Sequence, residues 1–116
     1  LVYPHLQEWN KSKNPWMRRQ SVLSPLCYAR SRKVKPPFNK IIALVKPLLN
    51  DPDYYVQKGV GWCLRETGIV YPEKTFVFLN EYHHVITSTA FAAAAEKLPA
   101  KQKEQLKLLR KKSRKK

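Results

Sequence analysis

A chain of 116 residues, 43% apolar and 27% charged, is one modest domain with the balance of a globular protein. Its charge is the unusual feature: 23 Lys and Arg against 8 Asp and Glu leave +15, with a pI near 10.1. This excludes an acidic solvating protein and a calcium buffer, and it makes a polyanion the first partner to test. No run approaches the roughly 18 apolar residues of a membrane span, so no membrane partner is expected. Leu1-Val2-Tyr3-Pro4-His5 has neither a charged n-region nor an apolar h-region. The chain opens on Leu1, and its sole methionine is Met17, which reads as a processed or truncated piece of something longer.

Prolines punctuate the chain: Pro15, Pro52, Pro72 and Pro99 each open an apolar-periodic run, the place where a missing N–H costs least. Asn14 and Asp51 precede two of them as N-caps. Neither a sustained period of two nor an Asn-Gly or Asp-Gly turn is present, so the expected class is all-α. A first helix is expected near 3–12 and a second over 15–29, carrying Trp16, Gln20, Leu23, Leu26 and Cys27 and bent at Pro25. A third spans 37–49, with Ile41, Ile42, Val45, Leu48 and Leu49 facing the core and a bend at Pro47. The fourth runs from Pro52 to about Thr67, buries Val56, Val60, Cys63 and Leu64, and stops at Gly68 as its C′ residue. Short helices follow at 72–80, with Phe76, Val77 and Leu79, and at 88–97, capped by Thr87 or Ser88. A basic helix starts at Pro99.

A shift of 38 positions lays Trp16-Met17 on Tyr54-Tyr55, Val22 on Val60 and Leu26 on Leu64. Such a period on paired helices is the signature of HEAT-like solenoids, whose open ends bury too little apolar surface alone. The expected organisation is a HEAT-like repeat region over 1–98, truncated on its N-terminal side, and a basic helix or tail over 99–116.

Charge divides along the same line. Residues 100–116 carry nine basic side chains and one acid, Glu104, for a net of +8, and residues 1–99 carry the other +7. The tail is either a solvated helix end or an arm following a phosphate backbone. Arg30, Arg32, Lys33 and Lys35 before Pro36-Pro37 form a second basic cluster, in an expected loop. Cys27 and Cys63 sit in apolar contexts without a C-x-x-C, and His5, His83 and His84 join them at no zinc spacing. Two buried thiols are the default, with a disulfide left open. No metal and no cofactor is expected, and no catalytic constellation stands out. Asp51 and Asp53 are explained by helix capping, and His83-His84 falls in a loop.

Two groups rise above this background. Arg18 and Arg19 follow Trp16 in the first turns of a helix and point in different directions. One is left for solvent, the other for a phosphate or a buried acid. In Val56-Gln57-Lys58-Gly59-Val60-Gly61-Trp62 two glycines sit in mid-helix at about 1 kcal/mol each relative to Ala. They either admit a close helix neighbour or leave room for a ligand beside Trp62, which on its own reads as a packed core residue.

Trp16-x-x-Arg19 with Val22-Leu23, then Val56-Gln57-Lys58-x-x-Gly61-Trp62-x-Leu64-Arg65-Glu66 and Tyr71-Pro72-Glu73, resembles the C-terminal half of the AlkD-type DNA alkylation repair proteins. The resemblance covers about residues 9–98. It implies a right-handed stack of helix pairs with a basic concave face that holds duplex DNA, and removal of N3- and N7-alkylated purines. By motif match Arg19 corresponds to the family's arginine at the DNA backbone and Trp62 to a cleft tryptophan. Its catalytic aspartate lies in an upstream W-D-x-x-D-like segment that nothing before Trp16 matches. Phe91-Ala92-Ala93-Ala94-Ala95 also stands where the family usually carries an Arg-Glu-Ala pattern. The expected DNA-binding set is Arg18, Arg19, Arg30, Arg32, Lys33, Lys35, Lys58 and Arg65, with Trp62 as the cleft aromatic. The expected protein is a DNA-associated, cytoplasmic monomer that does not excise alone. A non-catalytic nucleic-acid-binding module and a protein-interaction scaffold with a basic tail are the alternatives.

Overall fold

Among the described residues, short polar caps and prolines delimit seven α-helices: α1 (Tyr3–Asn10), α2 (Pro15–Arg32), α3 (Phe38–Val45), α4 (Tyr54–Val70), α5 (Pro72–Glu81), α6 (Ser88–Ala94) and α7 (Ala100–Arg114). The computed structural model describes residues 3–32 and 37–114, with side chains for 6–23 and 37–112. Among the described residues there is no strand, and no helix is long and apolar enough to cross a membrane.

Proline chemistry decides several boundaries. Pro47 lacks the N–H that would continue α3, and the chain tightens there into a 3-10 turn over Lys46–Leu48. Tyr71, just before Pro72, sits at φ −127° and ψ 66°, outside the helical region, and ends α4 while its N–H still reaches Thr67 O at 2.7 Å. Gly68 is therefore inside α4, not its C′ residue, because the stop is supplied by Pro72. The start of α4 also differs from the sequence expectation. Asp53, not Asp51, is the cap, its carboxylate accepting from the Tyr55 and Val56 N–H groups. α2 is helical through Pro25 to Arg32, so Arg30 and Arg32 belong to a helix rather than a loop, although their side chains lie outside the described residues. Lys33 and Lys35 lie outside them entirely, as does the Cys27 side chain. Asn14 caps α2 through Trp16 N–H at 2.9 Å, and Thr87 caps α6 through Ala90 N–H at 3.3 Å.

The packing order follows from the apolar faces. α4 lies between α2 and α6 in one row; α3 packs on α1 and α2, and α5 packs on α4 and α7. The molecule measures 40 × 31 × 18 Å, and its shortest dimension holds two helix layers and no third. Ile41, Ile42, Leu44 and Val45 are buried on α3, an eight-residue helix too short to persist without that burial. Val56, Val60, Cys63 and Leu64 of α4 lie at the centre at 1% exposure or less. Burial pushes the Cys63 thiol up to about 12, with the Thr67 hydrogen bond acting in the opposite direction, so it remains an inert apolar filler. Trp16 and Val77 face outward, at 56% and 60% exposure, because their helices turn other residues to the core.

Two polar ties fix the layers. Asn10 is buried and donates its amide to Ser21 Oγ at 3.0 Å and to Leu44 O at 2.6 Å, joining α1 to α2 and α3. Arg18 meets Asp51 in a two-pronged pair, Nε to Oδ2 at 2.8 Å and Nη2 to Oδ1 at 3.2 Å, and also donates to the Ser12 and Lys13 carbonyls. Asp51 is 8% exposed, so removal of Arg18 strands a carboxylate away from water.

Arg18→Ala is expected to lower unfolding free energy in urea by about 2–4 kcal/mol, and Arg18→Lys to recover only part, since an ammonium cannot form the two-pronged pair. Alanine at the middle of α4 and in its last turn should act in opposite directions. A Cβ at Gly61 would sit 2.7 Å from Ala93 Cβ and 2.8 Å from Ala90 O, so Gly61→Ala is expected to cost about 1–3 kcal/mol. A Cβ at Gly68 would meet Thr75 Cγ2 at an ordinary 3.5 Å, and Gly68→Ala should gain about 0.5–1 kcal/mol in the same measurement.

Candidate nucleic-acid interface

The row α2–α4–α6 encloses a cleft of about 450 Å³ lined by Arg19 and Leu23 from α2, by Lys58, Gly59, Trp62 and Arg65 from α4, and by Ala93 and Glu96 from α6 and the turn after it. Small residues make this space. Gly61 lets α4 approach α6 closely, while two positions earlier a Cβ at Gly59 would stand 3.0 Å from Arg19 Cγ. The bare backbone at Gly59 is thus the bed on which the Arg19 stem lies. Trp62 is half-buried beside it. The two glycines therefore do separate jobs: one sets helix contact, the other makes room for a cation.

Adjacent arginines part company as their 100° offset requires. Arg18 turns inward to Asp51. Arg19 turns along the cleft, with its guanidinium carbon 5.6 Å from the Trp16 ring centroid. Among the described residues no carboxylate lies within ion-pair range of Arg19, and its buried Nε has no hydrogen-bond partner. Arg65 is restrained differently. Its Nη1 is 3.3 Å from Glu96 Oε2, and its Nε is 3.4 Å from Glu66 Oε2, close enough for ion pairing but not aligned for a hydrogen bond. Glu96 is exposed, so this pair is worth at most about 1 kcal/mol and can be exchanged for another anion. Among the described residues three cations and one carboxylate line the cleft. It is a place for negative charge.

An aromatic ledge adjoins it. Trp16 stacks on Tyr55 with centroids 5.6 Å apart and an interplanar angle of 20°, and Tyr54 meets Tyr55 edge-on at 5.5 Å. Each of the three is more than half exposed. Arg19 lies over Trp16 and Lys58 over Tyr54, at 5.6 and 5.7 Å, so the two cations join the ledge to the cleft. Exposed rings flanked by guanidinium and ammonium groups are the ingredients of a surface for bases and phosphates.

Of the residues singled out from sequence, Arg19, Lys58, Arg65 and Trp62 come together here, whereas Arg18 is committed to Asp51. Arg30, Arg32, Lys33 and Lys35 cannot be placed relative to the cleft, their side chains lying outside the described residues. Sequence reasoning missed Glu96, whose position depends on where α6 ends, and the ledge tyrosines. For the tyrosines a signal existed: the 38-residue shift already set Trp16 on Tyr54. His83 and His84 form an edge-on pair 5.3 Å apart in the turn after α5, away from the cleft. Among the described residues no group of three His, Cys, Asp or Glu could hold a metal ion.

A sequence model of the family described as DNA alkylation repair enzyme matches residues 2–98. No curated protein and no solved structure matches the chain. The matched stretch contains the cleft, the ledge and both polar ties, and ends before α7. The chain belongs to the DNA alkylation repair enzyme family.

Proposed function

We propose that, within DNA alkylation repair, this chain binds duplex DNA along the α2–α4–α6 face as the C-terminal part of an AlkD-type alkylpurine glycosylase. The observation that carries the reading is the convergence of Arg19, Lys58 and Arg65 on Trp62 in one cleft beside the Trp16–Tyr55 stack. Arg19 supplies an uncommitted guanidinium for a backbone phosphate, Lys58 a mobile ammonium, and Arg65 a charge that a phosphate can take from Glu96. Trp62 offers an apolar, electron-rich face to a base. The two-layer arrangement, with α2, α4 and α6 side by side, supports a HEAT-like stack for the matched region, and the protein acts on duplex DNA as a monomer.

The electrostatics separate holding DNA from excising a base. Release of an alkylated purine builds positive charge on the sugar, and a carboxylate must oppose it. Among the described residues Glu96 is the one acid lining this cleft, is shared with Arg65, and is outnumbered by cations. The cleft is therefore suited to phosphate and poorly suited to a cationic transition state. A non-catalytic HEAT-like binding module would share this geometry, and excision separates the two readings in the whole protein.

Fluorescence anisotropy with a labelled duplex is expected to show weak binding whose log–log salt dependence has a slope of about −2 to −3, near 0.9 per phosphate engaged. Arg19→Ala should weaken binding equally on all sequences and lower that slope by about one unit. Trp62→Ala should remove any preference for alkylated over unmodified duplex while leaving the slope unchanged. A flat salt response would instead favour the protein-interaction scaffold. The 116-residue chain should release no 7-methylguanine from methylated DNA, and measurable release would refute the assignment of its cleft to binding alone.

A further inference from the structure

The basic C-terminal segment is not a frayed arm along its whole length. α7 lies beyond the family-matched residues, yet it is bolted to the body. Leu106 is fully buried, and Arg110 is 8% exposed. Arg110 donates through Nη1 to His83 O at 2.7 Å and to Ile86 O at 3.0 Å, and through Nη2 to Ser88 Oγ at 3.3 Å. Its guanidinium carbon lies 4.5 Å from the Phe91 ring centroid. A long cation held this way serves as a fastener, and it sets the rotation of α7.

That rotation has a consequence for its neighbours. Lys107 and Lys111 are four residues apart, hence neighbours on one exposed flank of the helix beside the inward-turned Arg110. With Ser88, Phe91 and Arg110 they line a hollow of about 460 Å³ between α6 and α7. Among the described residues lining it none is acidic; Glu104, the one acid of α7, is exposed and not among them. Both lysines are exposed at its rim, and Ser88 adds a hydroxyl. His83 senses the same positive surroundings: its imidazole is drawn below the usual histidine value by burial first, then by the charges of His84 and Arg110.

We propose that the hollow between α6 and α7, with Lys107 and Lys111 at its rim and Ser88 at its wall, seats a backbone phosphate of duplex DNA. The proposal rests on the reading of the α2–α4–α6 cleft as a DNA surface and extends the footprint past the family-matched stretch. α6 carries both sites, the cleft through Ala93 and the hollow through Ser88 and Phe91. At 3.6 residues per turn Ser88 and Phe91 lie about 140–160° around α6 from Ala93. The two concavities therefore open on different flanks of the helix, one helix diameter (about 10–12 Å) apart, and would engage separate phosphates of one duplex. The partner is a phosphodiester rather than a carboxylate because two mobile ammonium groups and a hydroxyl can surround a tetrahedral anion, and the family acts on DNA.

The test is an amide-resolved NMR titration of the full chain with a short duplex, run beside anisotropy at several salt concentrations. Ser88, Lys107 and Lys111 should shift and saturate together with Arg19 and Gly59. Lys107→Gln/Lys111→Gln should abolish the first set of shifts, keep the second, weaken binding several-fold and lower the salt slope by about one unit. Shifts at Arg19 and Gly59 without shifts at Ser88 and Lys111 would overturn the hollow and leave the cleft standing. The reverse pattern would uphold the hollow and overturn the cleft. No shift at either place would overturn both. A response to inorganic phosphate as strong as to the duplex would make the hollow a free-anion site and overturn the assignment. So would an equal loss of binding in Lys101→Gln/Lys112→Gln, which removes the same charge elsewhere on α7.

Discussion

The two-pronged pair between Arg18 and Asp51 is the constraint on which the working surface depends. Asp51 does more than neutralise an arginine. Its Oδ1 also accepts the Asp53 N–H at 2.9 Å, and its carbonyl accepts the Gln57 amide at 2.9 Å. One residue therefore fixes the approach of α2 and arranges the turn whose next acid, Asp53, caps α4. With both helix starts held, Trp16 comes to rest on Tyr55, and Arg19 lies along Gly59. A change in that pairing would move the ledge and the cleft together, although neither ion touches them directly.

Close approach has a cost that α4 accepts for geometry. Glycine in mid-helix loses stability to alanine in an isolated helix, yet Gly61 has no room for a Cβ beside α6. Tertiary contact reverses the local preference there. At Gly68, where ordinary space exists, the local preference survives, and the two positions show how one residue type carries different constraints within a single helix. The same contact brings Glu96 to the cleft mouth, where it restrains Arg65 without neutralising the site.

Charge is arranged in three grades across the molecule. Arg18 and Arg110 are internal fasteners, spent on a carboxylate and on main-chain carbonyls. Arg65 is shared with surface acids and exchangeable. Arg19, Lys58, Lys107 and Lys111 line the two concavities, where an outside anion can reach them. A net charge of +15 thus overstates the binding surface, because part of it holds the fold together.

The all-helical class, the helix starts near Pro15, Pro72 and Pro99, and the buried faces of α3 and α4 follow from the sequence alone. They rest on proline's missing donor and on apolar spacing, both local properties of a chain. The run from Val56 to Glu66 also marked where Trp62, Lys58 and Arg65 would lie on one helix. The partners across helices were decided only by tertiary structure. Arg18 and Arg19 are adjacent and chemically identical, and nothing local says which one finds Asp51 thirty-three residues away. Gly68 looked like a helix stop until Pro72 supplied a better one. The basic tail read as a unit of charge until Leu106 and Arg110 were buried against the body, leaving two of its lysines over a hollow. Sequence sets which groups a helix carries and how they repeat, but their contact with water, an acid or an open cleft depends on residues far along the chain.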